Sequence, residues 1–185
     1  MFQICCVMLV IGAMMCIVRE VVRLQQKNMF SLLLWVMLLI YTIVYLYFTI
    51  FSRQFGSGAY VELRPFQVYT RLFAEPIDAG DAAVGFAAKF LNNTLPIVGL
   101  ILNILLYYPL GYLLLILFPK LKAKQVILIG CLCSMATEAA QYLLEIGWCE
   151  TDDVIHNTLG TAIGVWVWLW QSRKRQKQNE ESNKL

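Results

Sequence analysis

Charge is scarce in this chain: only 15% of its 185 residues are Asp, Glu, Lys or Arg, whereas about 25% is usual in soluble domains. Hydrophobic residues make up 59%, and they fall in blocks along the whole length rather than in one tail. Such a distribution excludes an ordinary soluble globule and leaves no room for a separate soluble domain. The composition therefore predicts a membrane protein that crosses the bilayer several times.

Several motifs that specific chemistries require are also missing. The chain has one histidine, His156, and no Cys-x-x-Cys pair, which excludes a His-rich zinc site and a paired-cysteine site. No glycine-rich phosphate loop is present. Five of the six cysteines lie inside apolar blocks, where cysteine acts as a small hydrophobe, so no disulfide framework is predicted. The 15 basic residues exceed the 12 acidic ones by too little to indicate a nucleic-acid partner.

The apolar blocks predict five transmembrane helices in an all-α bundle, because each is long enough to cross about 30 Å of hydrocarbon. They cover residues 1–18, 29–52, 90–119, 125–144 and 154–172. On this basis the chain divides into a first helix with its loop (1–28), a second helix (29–52), a region with a long loop and three helices (53–170), and a basic tail (171–185).

The basic residues near the ends of these helices predict the orientation. If the N terminus lies outside, the cytoplasmic segments hold eleven Lys and Arg residues and the opposite side holds four, all in the loop after residue 52. The acidic loop 145–153 then faces outside. We therefore expect a multi-pass membrane protein with its N terminus outside, its C terminus inside and lipids as partners.

Polar side chains inside the predicted helices lie at helical spacing, so each set shares one face. An amide or carboxyl group in hydrocarbon is costly and usually faces the bundle interior with a partner. By helix rise, the carboxyl group of Glu138 lies past the bilayer midplane, in the outer half. One interpretation is that the carboxyl and amide groups simply hydrogen-bond the helices together. The other, which we predict, is a ligand pocket that opens toward the outer leaflet. Its candidate residues are Asn103, Glu138, Gln141, His156 and Asn157.

The same region supplies the candidates for catalysis and for metal binding. Glu138, Asp152 and Asp153 are the candidate acid or base groups, although no nucleophile stands out beside them. Glu150, Asp152 and Asp153 could hold a divalent cation through oxygen ligands. The alternative is that the Asp152-Asp153 pair caps the start of a helix, where a carboxylate accepts exposed N–H groups. Apart from such a cation, no cofactor is predicted.

Small residues and prolines have predicted structural roles. Gly160 and Gly164 form a pair on which a neighbouring helix can approach closely. Pro109 and Gly111 are expected to kink the third helix. In the long loop, aromatic and apolar residues from Phe66 to residue 73 recur at helical spacing and are compatible with a short amphipathic helix, either on the outer membrane surface or folded back over the bundle. Most of the loop is expected only to connect two membrane helices.

An ordered set of short motifs resembles the VanZ-like family. The motifs are Leu63-Arg64-Pro65-Phe66, Asn103 with Pro109-x-Gly111, Glu138-x-x-Gln141, and Asp152-Asp153-x-x-x-Asn157-x-x-Gly160. They cover residues 63–167 in the family's order. Many members carry an Arg beside the glycine of the last outer loop, whereas here Gly147 is followed by Trp148 and Cys149.

The resemblance implies a multi-pass protein of a bacterial plasma membrane, in a Gram-positive cell envelope. It is of the kind linked to resistance to lipid-tailed glycopeptides such as teicoplanin. Three hypotheses about function stay open. The first is a protein whose pocket binds a lipid-linked cell-wall precursor or a lipoglycopeptide. The second is an intramembrane enzyme that acts on such a precursor, and the third is a small transporter. The lack of an evident nucleophile favours binding over catalysis, and the lack of an internal repeat counts against a transporter.

Overall fold

The computed structural model describes residues 27–56, 58–67, 69–70 and 84–183, and four long helices make up most of this part of the chain. Helix α1 covers Lys27–Leu46 and continues into one π-helical turn, Tyr47–Phe51. The other three are α2 (Val84–Leu117), α3 (Ala123–Leu143) and α4 (Thr151–Ser182). The first predicted helix, residues 1–18, lies outside the described residues.

Three of the described helical segments are long and apolar enough to cross a membrane: Ser31–Phe51, Ile97–Leu117 and Ala123–Leu143. Each has 21 residues, which gives a length of roughly 31 Å. Much of the apolar surface of α1 is exposed, including Leu32 at 63% and Leu39 at 60%. Exposed surface of this kind suits contact with lipid tails, so these helices indicate a membrane protein.

Helix α4 contains the predicted fifth membrane helix but extends beyond it at both ends. It is not one of the three described segments apolar enough to span a bilayer by composition alone. Its N-terminal half carries Asp152, His156 and Asn157, which are buried against the other elements. The total of five spans and the orientation of the bundle stay predictions.

The prediction of an all-helical chain is wrong at one end of the bundle, where two strands form a small parallel sheet. Strand β1 is Gly58–Glu62 and strand β2 is Ile146–Glu150. The register pairs Gly58 with Ile146 and Glu62 with Glu150. The predicted loop 145–153 is therefore corrected to a strand followed at once by α4, which begins at Thr151. Between α3 and β2 the chain turns at Glu145, whose φ is +54°.

The closest helix packing in the described bundle is between α2 and α4, where backbones meet with no side chain between them. A Cβ atom at Gly160 would overlap the carbonyl oxygen of Ile104, and one at Gly164 would overlap that of Tyr108. A Cβ at Gly111 would overlap the carbonyl oxygen of Thr161. Helix α2 runs without a break through Pro109, and Gly111 lies where α4 approaches most closely.

Helix α1 packs beside this pair through an apolar cluster. Leu34, Met37 and Tyr41 contact Tyr112 and Leu113 of α2. The Tyr41 hydroxyl also donates a 3.0 Å hydrogen bond to the carbonyl oxygen of Leu106 in α2. These contacts fix α1 against the helix that carries Asn103.

Candidate functional site

The buried polar side chains of the bundle concentrate where α3 and α4 meet near the sheet. On α3, Ser134, Glu138 and Gln141 are all at most 3% exposed, and their spacing by four and three residues places them on one face. On α4, Asp152, His156 and Asn157 are at most 4% exposed. The apolar residues around them exclude water, so each polar atom needs a partner inside the protein or in a ligand.

Glu138 lies under the sheet, because β2 folds back over the end of α3. Its Oε2 atom accepts a 3.0 Å hydrogen bond from the backbone N–H of Glu150, at the last residue of β2. Asp153 and Glu150 lie close enough to act on it electrostatically. The carboxyl groups of Glu138 and Asp153 therefore form one interacting acidic pair between α3 and α4.

Asp153 is held from the opposite side by α2. Asn103 Nδ2 donates a 2.7 Å hydrogen bond to Asp153 Oδ1. Burial and, after it, the charge of Glu150 raise the pKa of Asp153 to about 6, although the charge of Arg53 acts in the opposite direction. An acid with such a pKa exchanges its proton near neutral pH, which is a common property of functional sites.

Arg53 supplies a positive charge near Glu138 and Asp153. It lies at the start of the predicted outer loop and was not among the predicted site residues. Its guanidinium group lies against Gly147 of β2, where a Cβ atom would overlap Nη1. From there it acts electrostatically on both Glu138 and Asp153. The position beside Gly147 that many family members fill with Arg holds Trp148 here, and a cation reaches the same glycine from the segment after α1.

Two predicted site residues hold the loop after β1 in place. Parallel strands end at the same edge of a sheet, so this loop emerges beside the start of α4. The N–H of Phe66 donates to Asp152 Oδ1, and the Tyr69 hydroxyl is 3.0 Å from His156 Nε2. Phe66 follows Pro65 and has a φ of +66°, which is unusual for a bulky residue. This loop therefore contacts α4 at Asp152 and at His156, which lie one helical turn apart.

The amide side chains of Asn157 and Gln141 each donate one hydrogen bond, and the oxygen of each has no described partner. Asn157 Nδ2 donates to Ser134 Oγ at 2.8 Å, and Gln141 Nε2 donates to the carbonyl oxygen of Thr49 at 3.0 Å. The side-chain oxygens of both amides are buried and have no hydrogen-bond partner among the described residues. Such atoms are rare in folded proteins and call for a donor.

A chain of contacting hydroxyl groups, which the sequence did not predict, lies next to these polar residues. The hydroxyl oxygens of Tyr45 and Tyr107 are 2.5 Å apart, and Tyr45 also contacts Thr137 Oγ1. Thr137 in turn donates a 2.9 Å hydrogen bond to the carbonyl oxygen of Cys133. This chain links α1, α2 and α3 at Thr137, the residue that precedes Glu138.

The structure thus brings together Glu138, Asp153 and Asn103, and it places Asp152 and His156 at the loop after β1. No three His, Cys, Asp or Glu side chains are arranged to hold a metal ion in the parts of the chain that the structure describes. Glu150 approaches Glu138 through its backbone N–H, so it contributes a donor there as well as a charge. Half of the predicted short helix at residues 66–73 is described: residues 67, 69 and 70 are helical, and the N–H groups of Tyr69 and Thr70 donate to the carbonyl oxygen of Phe66. Residues 68 and 71–73 lie outside the described residues.

Comparison with known proteins identifies the family. A family profile described as VanZ/LLP1 matches residues 29–172. The chain belongs to the VanZ/LLP1 family. The match starts at α1 and ends within α4, so it includes every element that contributes to the site and extends beyond the motifs at residues 63–167. No curated protein and no solved structure matches the chain.

Proposed function

We propose that this VanZ/LLP1 membrane protein acts in the bacterial cell envelope and changes the response to lipid-tailed glycopeptides such as teicoplanin. The observation that carries the proposal is the pair formed by the buried Glu138 and the partly buried Asp153, which is fixed between three helices under a small sheet. Buried carboxyl groups in a membrane protein are costly, and they mark functional positions more often than passive ones.

The proposal places this site in the outer leaflet of the plasma membrane. The bias of eleven basic residues to four supports an outside position for the sheet, which lies beside Glu138. Helix α4 is proposed as a further span, because Leu159, Trp166 and Trp170 are 46%, 64% and 47% exposed along it and suit contact with lipid. A lipid-tailed antibiotic anchors in the same leaflet, within reach of a site there.

The test is expression in a susceptible Gram-positive host, with inhibitory concentrations measured for teicoplanin and for vancomycin, which lacks the lipid tail. The wild-type protein should raise the value for teicoplanin alone. Glu138→Gln keeps an oxygen that can accept the Glu150 N–H but removes the charge, and it should abolish the rise at equal protein level. Glu180→Gln, an exposed change in the basic tail, is the matched control and should keep it.

The result against the proposal is a wild-type protein that changes the response to no lipoglycopeptide. If wild type is active and Glu138→Gln is fully active as well, the carboxyl group has a packing role only. Asn157→Ala provides a second variant, because it removes the hydrogen bond to Ser134 from the other side of the interface.

A second candidate function is an intramembrane enzyme that acts on a lipid-linked cell-wall precursor. The observation that favours it is the interacting acid pair with a cation nearby, because paired carboxyl groups can divide the roles of acid and base. Purified protein should then convert the lipid-linked precursor, with and without added divalent cation. A precursor level with wild type equal to that of a protein-free reaction would exclude this function, and equal turnover by Glu138→Gln would exclude a role of its carboxyl group in the reaction.

A further inference from the structure

The end of the bundle opposite the sheet carries a dense group of exposed basic side chains. They come from two segments, the turn between α2 and α3 and the last part of α4. We call them the basic end, and its seven exposed members are Lys120, Lys122, Lys124, Arg173, Lys174, Arg175 and Lys177. Residues 119–125 and 171–179 contain no acidic residue, and Glu180 and Glu181 are the first to follow. This end of the protein therefore has a strong positive charge.

Helix packing brings the two basic segments together. Leu121, in the turn before α3, and Leu169 of α4 pack against the same apolar cluster. Tyr112 of α2 donates a 2.8 Å hydrogen bond to the side-chain oxygen of Gln171 in α4. Arg173 lies one helical turn beyond Leu169 on the same face. The last part of α4 therefore runs beside the turn between α2 and α3.

The basic end begins where the apolar helices end. Ile97–Leu117 and Ala123–Leu143 are two of the segments long enough to cross a membrane, and the turn that joins them holds Lys120. On α4, the exposed rings of Trp166 and Trp170 stack with their centroids 6.5 Å apart. Tryptophan is enriched at the boundary between membrane and water. The basic side chains that follow these elements therefore lie at the level of the lipid headgroups.

Tryptophan rings hold two of the basic side chains at this level. Lys174 Nζ lies 3.9 Å from the centroid of the Trp170 ring, and the Arg175 guanidinium carbon lies 5.8 Å from that of Trp168. Such cation–π contacts position a charge without neutralising it. None of the seven basic side chains forms an ion pair with another described residue. The basic end therefore presents positive charge to an anionic partner.

We propose that the basic end binds the headgroups of anionic phospholipids. The headgroup phosphate supplies negative charge and acceptor oxygens, which Arg and Lys recognise. The acyl chains would then lie along the exposed apolar side chains next to the basic end, such as Leu128 and Trp166. A lipid covers both the charge and the apolar surface, whereas a soluble anion covers the charge alone. This inference does not depend on the acidic site or on the leaflet that the basic end faces.

Tryptophan fluorescence measures lipid preference at the basic end itself. In Trp148→Phe the remaining tryptophans are Trp35, Trp166, Trp168 and Trp170. Trp35 lies at the same end, because its ring contacts that of Phe118 at 5.7 Å. The protein is reconstituted in mixed vesicles of phosphatidylglycerol and phosphatidylcholine, with quenching bromine atoms on the acyl chains of one lipid or of the other.

The relative quenching gives the relative affinity for the two lipids. We expect a preference of roughly tenfold or more for phosphatidylglycerol, since each Lys or Arg near an anionic membrane surface contributes roughly fivefold. The preference should decrease at high salt, because salt screens the charges. Equal affinities for the two lipids at low salt would overturn the inference.

Two double variants test the two segments separately, so that a folding defect in one leaves the other informative. They are Lys122→Gln with Lys124→Gln, and Lys174→Gln with Arg175→Gln. Each should lower the preference by roughly threefold or more. Lys174→Arg with Arg175→Lys keeps the charge and should keep the preference, as should Arg64→Gln, which removes an exposed charge at the sheet end. An unchanged preference in both double glutamine variants would refute the assignment.

Thermal unfolding of the purified protein in detergent distinguishes a lipid from a soluble anion. Phosphatidylglycerol should raise the melting temperature, because it binds the native state. Glycerol phosphate and polyglutamate supply the same anionic charge without acyl chains and should give a much smaller rise. A rise with glycerol phosphate as large as with the lipid would indicate a site for free phosphate, and one with polyglutamate would indicate an acidic protein partner. Either result would overturn the assignment to phospholipid.

Discussion

Asn103 in the middle of α2 donates a 2.7 Å hydrogen bond to Asp153 in the first turn of α4. The bond crosses the interface where Gly160 and Gly164 let the two helices approach closely. Backbone contact therefore sets the separation of the helices, and the amide fixes the carboxyl group that faces Glu138. The site is positioned by helix packing as much as by its own polar contacts.

A double-mutant cycle on this pair should show strong coupling. Asn103→Ala removes the donor and leaves a partly buried carboxyl group without it, so we expect a destabilisation of about 1–3 kcal/mol. Asp153→Ala followed by Asn103→Ala should cost less than the sum of the two single changes, because the second change then breaks no hydrogen bond. The measurement is the free energy of unfolding in detergent, and additive effects would contradict a direct interaction.

The pH dependence of stability should carry the signature of Asp153. Its pKa in the folded protein is raised from 3.8 to about 6, so between these values the folded state binds more protons than the unfolded state. Stability therefore falls as pH rises through this window, and the full penalty is present above it. Asp153→Asn cannot ionise, so it should be more stable than wild type at pH 7.5 and lose this advantage at pH 4.

Melting temperatures of both proteins across this pH range test the assignment. A constant difference between Asp153→Asn and wild type at every pH would show that Asp153 titrates in the folded state as it does in the unfolded chain. Arg53→Gln provides an independent check, since Arg53 lowers this pKa. Its removal should raise the pKa of Asp153 in the folded protein further, so that stability continues to fall up to a higher pH.

The glycine contacts between α2 and α4 predict a sharp contrast between two alanine substitutions. Gly160→Ala places a methyl group on the carbonyl oxygen of Ile104, and backbone cannot move aside as a flexible side chain can. We expect a loss of about 1–3 kcal/mol or more, together with loss of any site function. Gly99→Ala in α2 is the matched control, because nothing lies within 4 Å of the added Cβ. Equal stability of the two variants would contradict the packing described.

The sequence predicted the helices of the described bundle and most of the polar residues between them. Both follow from local patterns, namely apolar length and a spacing of three or four residues on α3 and α4. Arg53 was missed because it reaches the site only through the pairing of β1 with β2, two five-residue strands far apart in the chain. Strands this short leave no alternating pattern that distinguishes them from a loop.

The hydroxyl chain was missed for a different physical reason. Tyr45 and Tyr107 are embedded in apolar blocks, where an aromatic residue is expected to contact lipid or core. Their hydroxyl oxygens are 2.5 Å apart because the packing of α1 against α2 places the two tyrosines at the same level in the bundle. Relative depth between helices is a property of the assembled bundle, and spacing along one helix does not encode it.

Chemical labelling of Cys149 tests the predicted orientation. Cys149 lies in β2 and is partly buried, and burial raises the pKa of its thiol, as do the nearby charges of Glu138 and Asp153. The thiolate is the reactive form, so labelling should be slow at pH 7 and faster at pH 9. With the other five cysteines replaced by serine, a membrane-impermeant maleimide should label Cys149 on intact cells. In the same background with Cys149→Ser, Ser182→Cys at the end of α4 should react only after permeabilisation. The opposite pattern, with Ser182→Cys labelled first and Cys149 reactive only in opened cells, would place the sheet and its acidic site on the cytoplasmic side.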